Sequence, residues 1–146
     1  MQENPRVKIT RVMNAQAVGT TTVNGSEIDM QNFEGVLFIL FGGTVTDGDL
    51  GLKAQQDTVT GMGGAADLAG TLTEILNADD DKIAVLDIHL PREQFVRGVA
   101  VRGGATGAVI DGMVAVQYGV RKKPTTHDAT TVAASTSVVS PAEGTP

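Results

Sequence analysis

Residues 35–41, Gly-Val-Leu-Phe-Ile-Leu-Phe, restrict most strongly what this chain can fold into. Six consecutive apolar residues are too few for a stable helix or a bilayer span, but they suit a buried β-strand. Because successive side chains of a strand point to opposite faces, Val36, Phe38 and Leu40 cover one side and the other three cover the second. A strand that is apolar on both faces needs cover from two layers, or from one layer and a neighbouring subunit. We expect the pair Gly42-Gly43 to end it.

The other apolar segments predict further strands that partner this one. Alternation and β-propensity place these strands at 6–13, 15–23, 26–30, 50–56, 82–90, 94–102 and 108–118. Asn24-Gly25 predicts a tight hairpin into residues 26–30. In 82–90, the alternation puts Ala84, Leu86, Ile88 and Leu90 on one face and Asp87 and His89 on the other.

Residues 67–76 are ambiguous between helix and strand. Leu68, Leu72 and Ile75 have helical spacing, whereas Gly70 and Thr71 weaken a helix, and we interpret the segment as a strand. About eight strands with glycine-rich turns then indicate an all-β fold. We expect residues 1–120 to form one β-sandwich or jelly-roll-like barrel domain.

Residues 121–146 differ from the rest in composition. Thr, Ser, Ala and Pro account for 16 of these 26 residues, and aromatic residues are absent. A segment without a core-forming pattern becomes ordered only where another surface holds it. We expect an extended C-terminal arm that reaches a neighbouring subunit or shell, and the alternative is a tail folded back on its own domain. The candidate assembly contacts are Arg121, Lys122, Lys123, Val132, Val138 and Val139.

The net charge of −6 conceals an asymmetry along the chain. Residues 27–81 carry eleven acids against Lys53, a balance of −10, whereas residues 82–123 carry seven bases against three acids, a balance of +4. The two interpretations are differently solvated faces and head-to-tail complementarity between copies. A pI near 4.7 argues against a nucleic-acid partner. With no cysteine and no leader-like start, we expect neither disulfides nor a signal peptide.

Residues 61–66, Gly-Met-Gly-Gly-Ala-Ala, fit a relaxed dinucleotide-binding fingerprint. That mechanism needs a strand directly before the glycines and a helix after them, but residues 57–60 are short and polar and Gly70 interrupts any following helix. We interpret the segment as a flexible loop and expect no cofactor site.

The acidic and histidine residues do not form a recognisable site either. Asp47 and Asp49 resemble half a calcium loop, but the twelfth position is Thr58 instead of Glu. Residues 79–81 are three consecutive Asp, which we interpret as solvated, and His89 as a surface neighbour of Asp87. We expect no metal site, no catalytic residues and no enzyme activity.

Several stretches resemble a family of small virion proteins from the structural gene clusters of tailed bacteriophages. They are Ile28-Asp29-Met30-Gln31-Asn32-Phe33-Glu34-Gly35-Val36, Leu52-Lys53-Ala54-Gln55-Gln56, Val109-Ile110-Asp111-Gly112, Val116-Gln117-Tyr118-Gly119 with Arg121-Lys122, and Ser140-Pro141-Ala142-Glu143-Gly144-Thr145. The resemblance implies a capsid decoration or cement protein, made in the host bacterial cytoplasm and bound outside the lattice of the major capsid protein. It also implies a homo-oligomer, with a trimer favoured over a dimer. No residue role carries over.

Two alternatives stay open. One is a tail or head–tail connector component of the virion. The other is a carbohydrate-binding β-sandwich, although one Tyr and no Trp provide few stacking platforms for sugars. Neither a nucleic acid nor a membrane is expected as a partner.

Overall fold

The structure, a computed structural model, describes residues 6–122 and 125–145. Eleven strands form within them, and the described residues contain no helix. The strands are β1 (Lys8–Met13), β2 (Gln16–Gly19), β3 (Val23–Asn24), β4 (Ile28–Asp29), β5 (Gly35–Val45), β6 (Leu50–Asp57), β7 (Ala66–Asp67), β8 (Thr73–Ile75), β9 (Ile83–His89), β10 (Phe95–Arg102) and β11 (Ala108–Tyr118).

The strands form two antiparallel sheets. The first sheet has the order β1-β11-β5-β9, with β2 also paired to β11. The second has the order β3-β10-β6-β7, with β4 also paired to β10 and β8 to β6. The predicted all-β, sandwich-like fold is confirmed.

The core lies between the sheets and is centred on β5. Val36, Phe38 and Leu40 share one face, as their alternation predicts, and all three are fully buried. Across the core, the second sheet contributes Leu52 and Val96, which are also fully buried. Few of the core residues are aromatic, so burial of aliphatic side chains supplies most of the hydrophobic stabilisation.

The prediction that Gly42-Gly43 ends the central strand is wrong. β5 continues to Val45 and pairs with β11 through two register shifts, near Ile110 and Gly112. A Cβ at Gly42 would lie 2.9 Å from Ile75 Cδ1, and one at Gly43 would lie 2.9 Å from Val109 Cγ1. The two glycines therefore allow neighbouring side chains to approach the strand closely.

The predicted hairpin at Asn24-Gly25 is also wrong. β3 and β4 do not pair with each other, because both pair with β10, as two parts of one interrupted edge strand. Gly25 N donates to Gly98 O at 2.9 Å, and a Cβ on Gly25 would lie 2.7 Å from that oxygen. Glycine is needed here for close approach to β10, which an Asn-Gly pair in the sequence does not distinguish from a turn.

The ambiguous segment 67–76 contains no helix. Its ends belong to β7 and β8, both of which pair with β6, so the strand interpretation holds for the ends alone. Between them Gly70 has φ +75°, and Thr71 Oγ1 accepts from Ala54 N and donates to Leu68 O. The bonds of Thr71 attach the turn to the edge of β6.

A buried arginine divides the segment predicted as a strand at 15–23. The Arg102 guanidinium donates to the carbonyl oxygens of Ala17, Thr21 and Ala108 at 2.7–3.0 Å. A buried charge requires such bonds, and three carbonyls converge on it only if the chain turns between β2 and β3. Arg102 therefore fixes the path of this edge.

We expect Phe38→Ala to lower the free energy of unfolding by about 3–5 kcal/mol, because it removes a ring from the centre of the core. Phe41→Ala is the matched control, since Phe41 lies in the same strand on the other face and is 40% exposed. Its cost should be less than half as large. Urea denaturation measures both, and a loss below about 1 kcal/mol for Phe38→Ala would show that β5 is not central to the core.

Candidate assembly surface

The outer face of the first sheet carries apolar residues on four strands, together with two charged residues at its borders. Ile39 lies between Val114 on β11 and Val85 on β9, whereas Arg11 on β1 lies opposite Val114 and Asp87 on β9 lies opposite Leu37. We call the apolar set the outer apolar face; it consists of Ile9, Leu37, Ile39, Phe41, Ile83, Val85, Val114 and Val116.

No described residue covers this face fully. Phe41 is 40% exposed, Val85 45% and Ile83 53%, while Leu37 and Ile39 are half-buried. Four strands about 4.8 Å apart and some six residues of length make a patch on the order of 400 Å². Contiguous apolar patches of this size on a protein surface often mark interaction sites. A strand that is apolar on both faces requires cover on each of them. The second sheet covers the inner face of β5, and the described residues do not fully cover the outer face.

The sequence interpretation of 82–90 named only part of the outward face of β9. It placed Asp87 and His89 there, and the same alternation puts Ile83 and Val85 on that face, beside Phe41 and Ile39. The run Ile83-Ala84-Val85-Leu86 was the available signal, since it is apolar on both faces like β5. Leu90, placed on the inner face by the same pattern, instead follows the strand with φ +50° and is exposed.

Tyr118 closes the lower border of the outer apolar face. Its hydroxyl donates to Asp87 Oδ1 at 2.6 Å, and its ring lies parallel to that of His89 with centroids 6.3 Å apart. Burial, followed by the neighbouring Asp87 and Glu34 carboxylates, raises the pKa of Tyr118 to about 12. The ring crosses β5 at Gly35, where a Cβ would lie 2.3 Å from Tyr118 Cζ. This cluster links β5, β9 and β11 and places His89 beside Tyr118 on the outward side of β9.

The first part of the tail lies against the free edge of β1. Thr125 is buried, and Ile9 N donates to His127 Nδ1 at 3.0 Å. Asp128 caps a turn by accepting from Thr130 N, and Val132 N donates to Asp128 O. Residues 125–132 are thus held on their own domain, whereas residues 133–145 are exposed.

The candidate assembly contacts do not form one cluster. Arg121 and Lys122 are exposed just after β11, where Arg121 N donates to Asn32 O. Val132 is half-buried, whereas Val138 and Val139 are exposed in the outer part of the tail. Lys123 lies outside the described residues. The assembly role of all six stays a prediction.

The glycine loop at 61–66 is occupied by the chain's own carboxylates. Asp57 accepts from Val59 N and Gly64 N, and these backbone bonds, that of Val59 first, hold the pKa of Asp57 below its usual value. Glu27 accepts from Gly61 N at 2.7 Å and from the Thr60 hydroxyl. Two backbone N–H groups of the loop, those of Gly61 and Gly64, are therefore bonded to carboxylates of the same chain.

The acidic residues resembling a calcium loop also bind backbone N–H groups. Asp47 accepts from the N–H groups of residues 105–107 at 2.6–3.1 Å. Asp49 Oδ1 accepts from Asn77 N, and Asp80 Oδ1 accepts from Val45 N. Within the described ranges, no group of three or more His, Cys, Asp or Glu residues is placed to hold a metal ion.

No protein-family model matches this chain, and a search of curated proteins finds no similar sequence. The described part of the chain has no helix long and apolar enough to cross a membrane.

We expect Asp47→Asn to lower the urea concentration at the unfolding midpoint at about pH 7. We also expect this midpoint to change less than that of wild type as the pH is lowered. Backbone bonds from Gly107 and then Thr106 hold the pKa of Asp47 below its usual value. The ionised carboxylate therefore stabilises the fold above about pH 4, and this contribution disappears as the pH falls through the lowered pKa. The exposed acid Asp111 provides the control, Asp111→Asn. Equal midpoints for Asp47→Asn and wild type across the pH range would contradict the assignment.

Proposed function

We propose that this protein is a structural virion protein that binds the outside of a tailed-bacteriophage capsid and stabilises the head as a decoration or cement protein. The observation that carries the proposal is the outer apolar face, which lies on the first sheet and lacks full cover among the described residues. The resemblance of the five sequence segments to small phage virion proteins points to the major capsid protein as the partner. The exposed outer tail provides a second contact on the same shell.

The size of the outer apolar face indicates why a second contact is needed. Covering on the order of 400 Å² of partly exposed surface yields at most about 10 kcal/mol at 25 cal/mol per Å². Association costs about 4–15 kcal/mol in lost translational and rotational freedom. The face alone therefore supports weak binding, and an arm that attaches nearby strengthens it through effective concentration.

Val85→Lys is expected to weaken binding to purified capsids that lack this protein by at least about tenfold, because it places an ammonium group in the outer apolar face. Val59→Lys is the matched control, since Val59 is 59% exposed in the loop after β6, away from the first sheet. Co-sedimentation with capsids measures binding, and melting temperatures verify that both variants fold. Unchanged binding of Val85→Lys would refute this role for the face. Gold-labelled protein found on tails would favour the connector alternative.

A chain that ends at Val132 is expected to melt nearly as wild type but to bind capsids more weakly. It keeps the contacts of Thr125 and His127 with the domain and removes the exposed residues that follow. A chain that ends at Gly119 loses those contacts too and should melt lower. Wild-type affinity of the chain ending at Val132 would exclude an arm role for the outer tail.

A further inference from the structure

A cavity of about 300 Å³ opens at the end of the sandwich where β9 and β11 finish. Its lining combines apolar side chains with two arginines: Met30, Phe33, Leu90, Pro91, Arg92 and Arg121. Glu93 also lines the cavity, so the two guanidinium groups exceed the carboxylate by one charge. Neither arginine has a carboxylate within ion-pair distance among the described residues, whose ion pairs are Lys53–Asp67 and Lys82–Asp79. The cavity thus suits an acidic group with an apolar neighbour.

The opposite end of the same sandwich carries a loop with that chemistry. Residues 76–82 contain three consecutive Asp and begin with the exposed Leu76. Asp79 is paired with Lys82, and Asp80 accepts from Val45 N through one oxygen. Asp81 is exposed at the end of the loop, and its backbone N donates to Gly43 O. The loop therefore presents carboxylates and a leucine on a backbone that is attached to β5.

Within one copy this loop and the cavity cannot meet. The loop leads into β9 at Ile83, and the cavity residue Leu90 directly follows β9 at His89. Seven extended residues separate the two ends by about 24 Å. Complementary surfaces at opposite ends of a rigid strand are satisfied only between copies.

Both surfaces are held in preorganised backbone conformations. Asn32 and Leu90 beside the cavity have φ values of 72° and 50°, and Ala78 and Asp81 in the loop have 69° and 59°. Asn and Asp tolerate this left-handed region, but Leu90 and Ala78 adopt it only where the surrounding structure holds them in it. Rigid partners lose less entropy on association than flexible ones.

We propose that the arginine-lined cavity binds residues 76–82 of a second copy of this chain. Arg92 and Arg121 bind the Asp carboxylates, and the floor of Met30, Phe33 and Pro91 receives Leu76. The contact is heterologous, since each copy offers a loop at one end and a cavity at the other, and repetition builds a ring or an open chain. The proposal concerns the protein in solution and does not depend on capsid binding.

Charge reversal in the full-length chain tests the contact. The loop variant is Asp81→Lys, the cavity variant combines Arg92→Glu with Arg121→Glu, and Glu143→Lys in the exposed tail is the matched control. Sedimentation velocity at low and high ionic strength measures association. We expect wild type and control to form oligomers that dissociate in salt, and each reversal to weaken association at least about tenfold.

Mixing the variants distinguishes this contact from a general charge effect. The loop variant retains an intact cavity and the cavity variant retains an intact loop, and the reversed loop and the reversed cavity are complementary to each other. An equimolar mixture should therefore form the larger oligomers that neither variant forms alone. Combining all three reversals in one chain should restore larger oligomers. If Asp81→Lys fails to fold, Asp81→Asn removes the charge while keeping a residue that tolerates positive φ.

Three results would overturn the proposal: a monomeric wild type, unchanged association of either variant, or a mixture that stays monomeric. If wild type and the variants associate as expected but wild type does not bind capsids, the result counts against the proposed function alone.

Discussion

Burial of one face of β5 is the constraint on which the rest of the structure depends. Phe38 and its neighbours on that face hold the second sheet, while β11 and β9 satisfy the backbone of β5 on both sides. The other face of the strand is also apolar, and its cover is incomplete among the described residues. A chain that retains such a face bears an aggregation risk that an assembly protein offsets by burying it against a partner. The core and the proposed capsid contact are thus two faces of one strand.

The acidic residues serve two different purposes. Asp47, Asp57 and Glu27 accept backbone N–H groups in loops and thereby replace regular secondary structure as the means of ordering those segments. Asp81 remains exposed at one end of the sandwich, and Arg121 lies at the other. Some of the acidic residues behind the charge asymmetry therefore order loops, and the exposed Asp81 and Arg121 lie at opposite ends of the sandwich. This separation is the electrostatic basis of the proposed contact between copies.

The tail also divides into two parts. Residues 125–132 protect the free edge of β1, where His127 accepts the N–H of Ile9. An uncovered edge strand is a site for unwanted pairing between chains, so this contact has a role within the monomer. Residues 133–145 are exposed, and they are the part of the arm that is proposed to contact the capsid. Folding back thus describes residues 125–132, and reaching out stays a prediction for residues 133–145.

The sequence by itself determined which residues form the main strands and which residues of β5 share a face, whereas the tertiary structure decided which of those two apolar faces is fully buried. Side-chain alternation is a local property with a period of two, so it can be read from Val36, Phe38 and Leu40 without knowing their neighbours. It also contained the outer apolar face in part, through the two-sided runs at 35–41 and 83–86. Only the tertiary structure decided that Asn24-Gly25 approaches β10 instead of turning, and that the N–H groups of the glycine loop are bonded to Asp57 and Glu27. It alone placed the arginine cavity and the acidic loop at opposite ends of β9. These features depend on contacts between residues far apart in the chain, whose geometry local propensity does not encode.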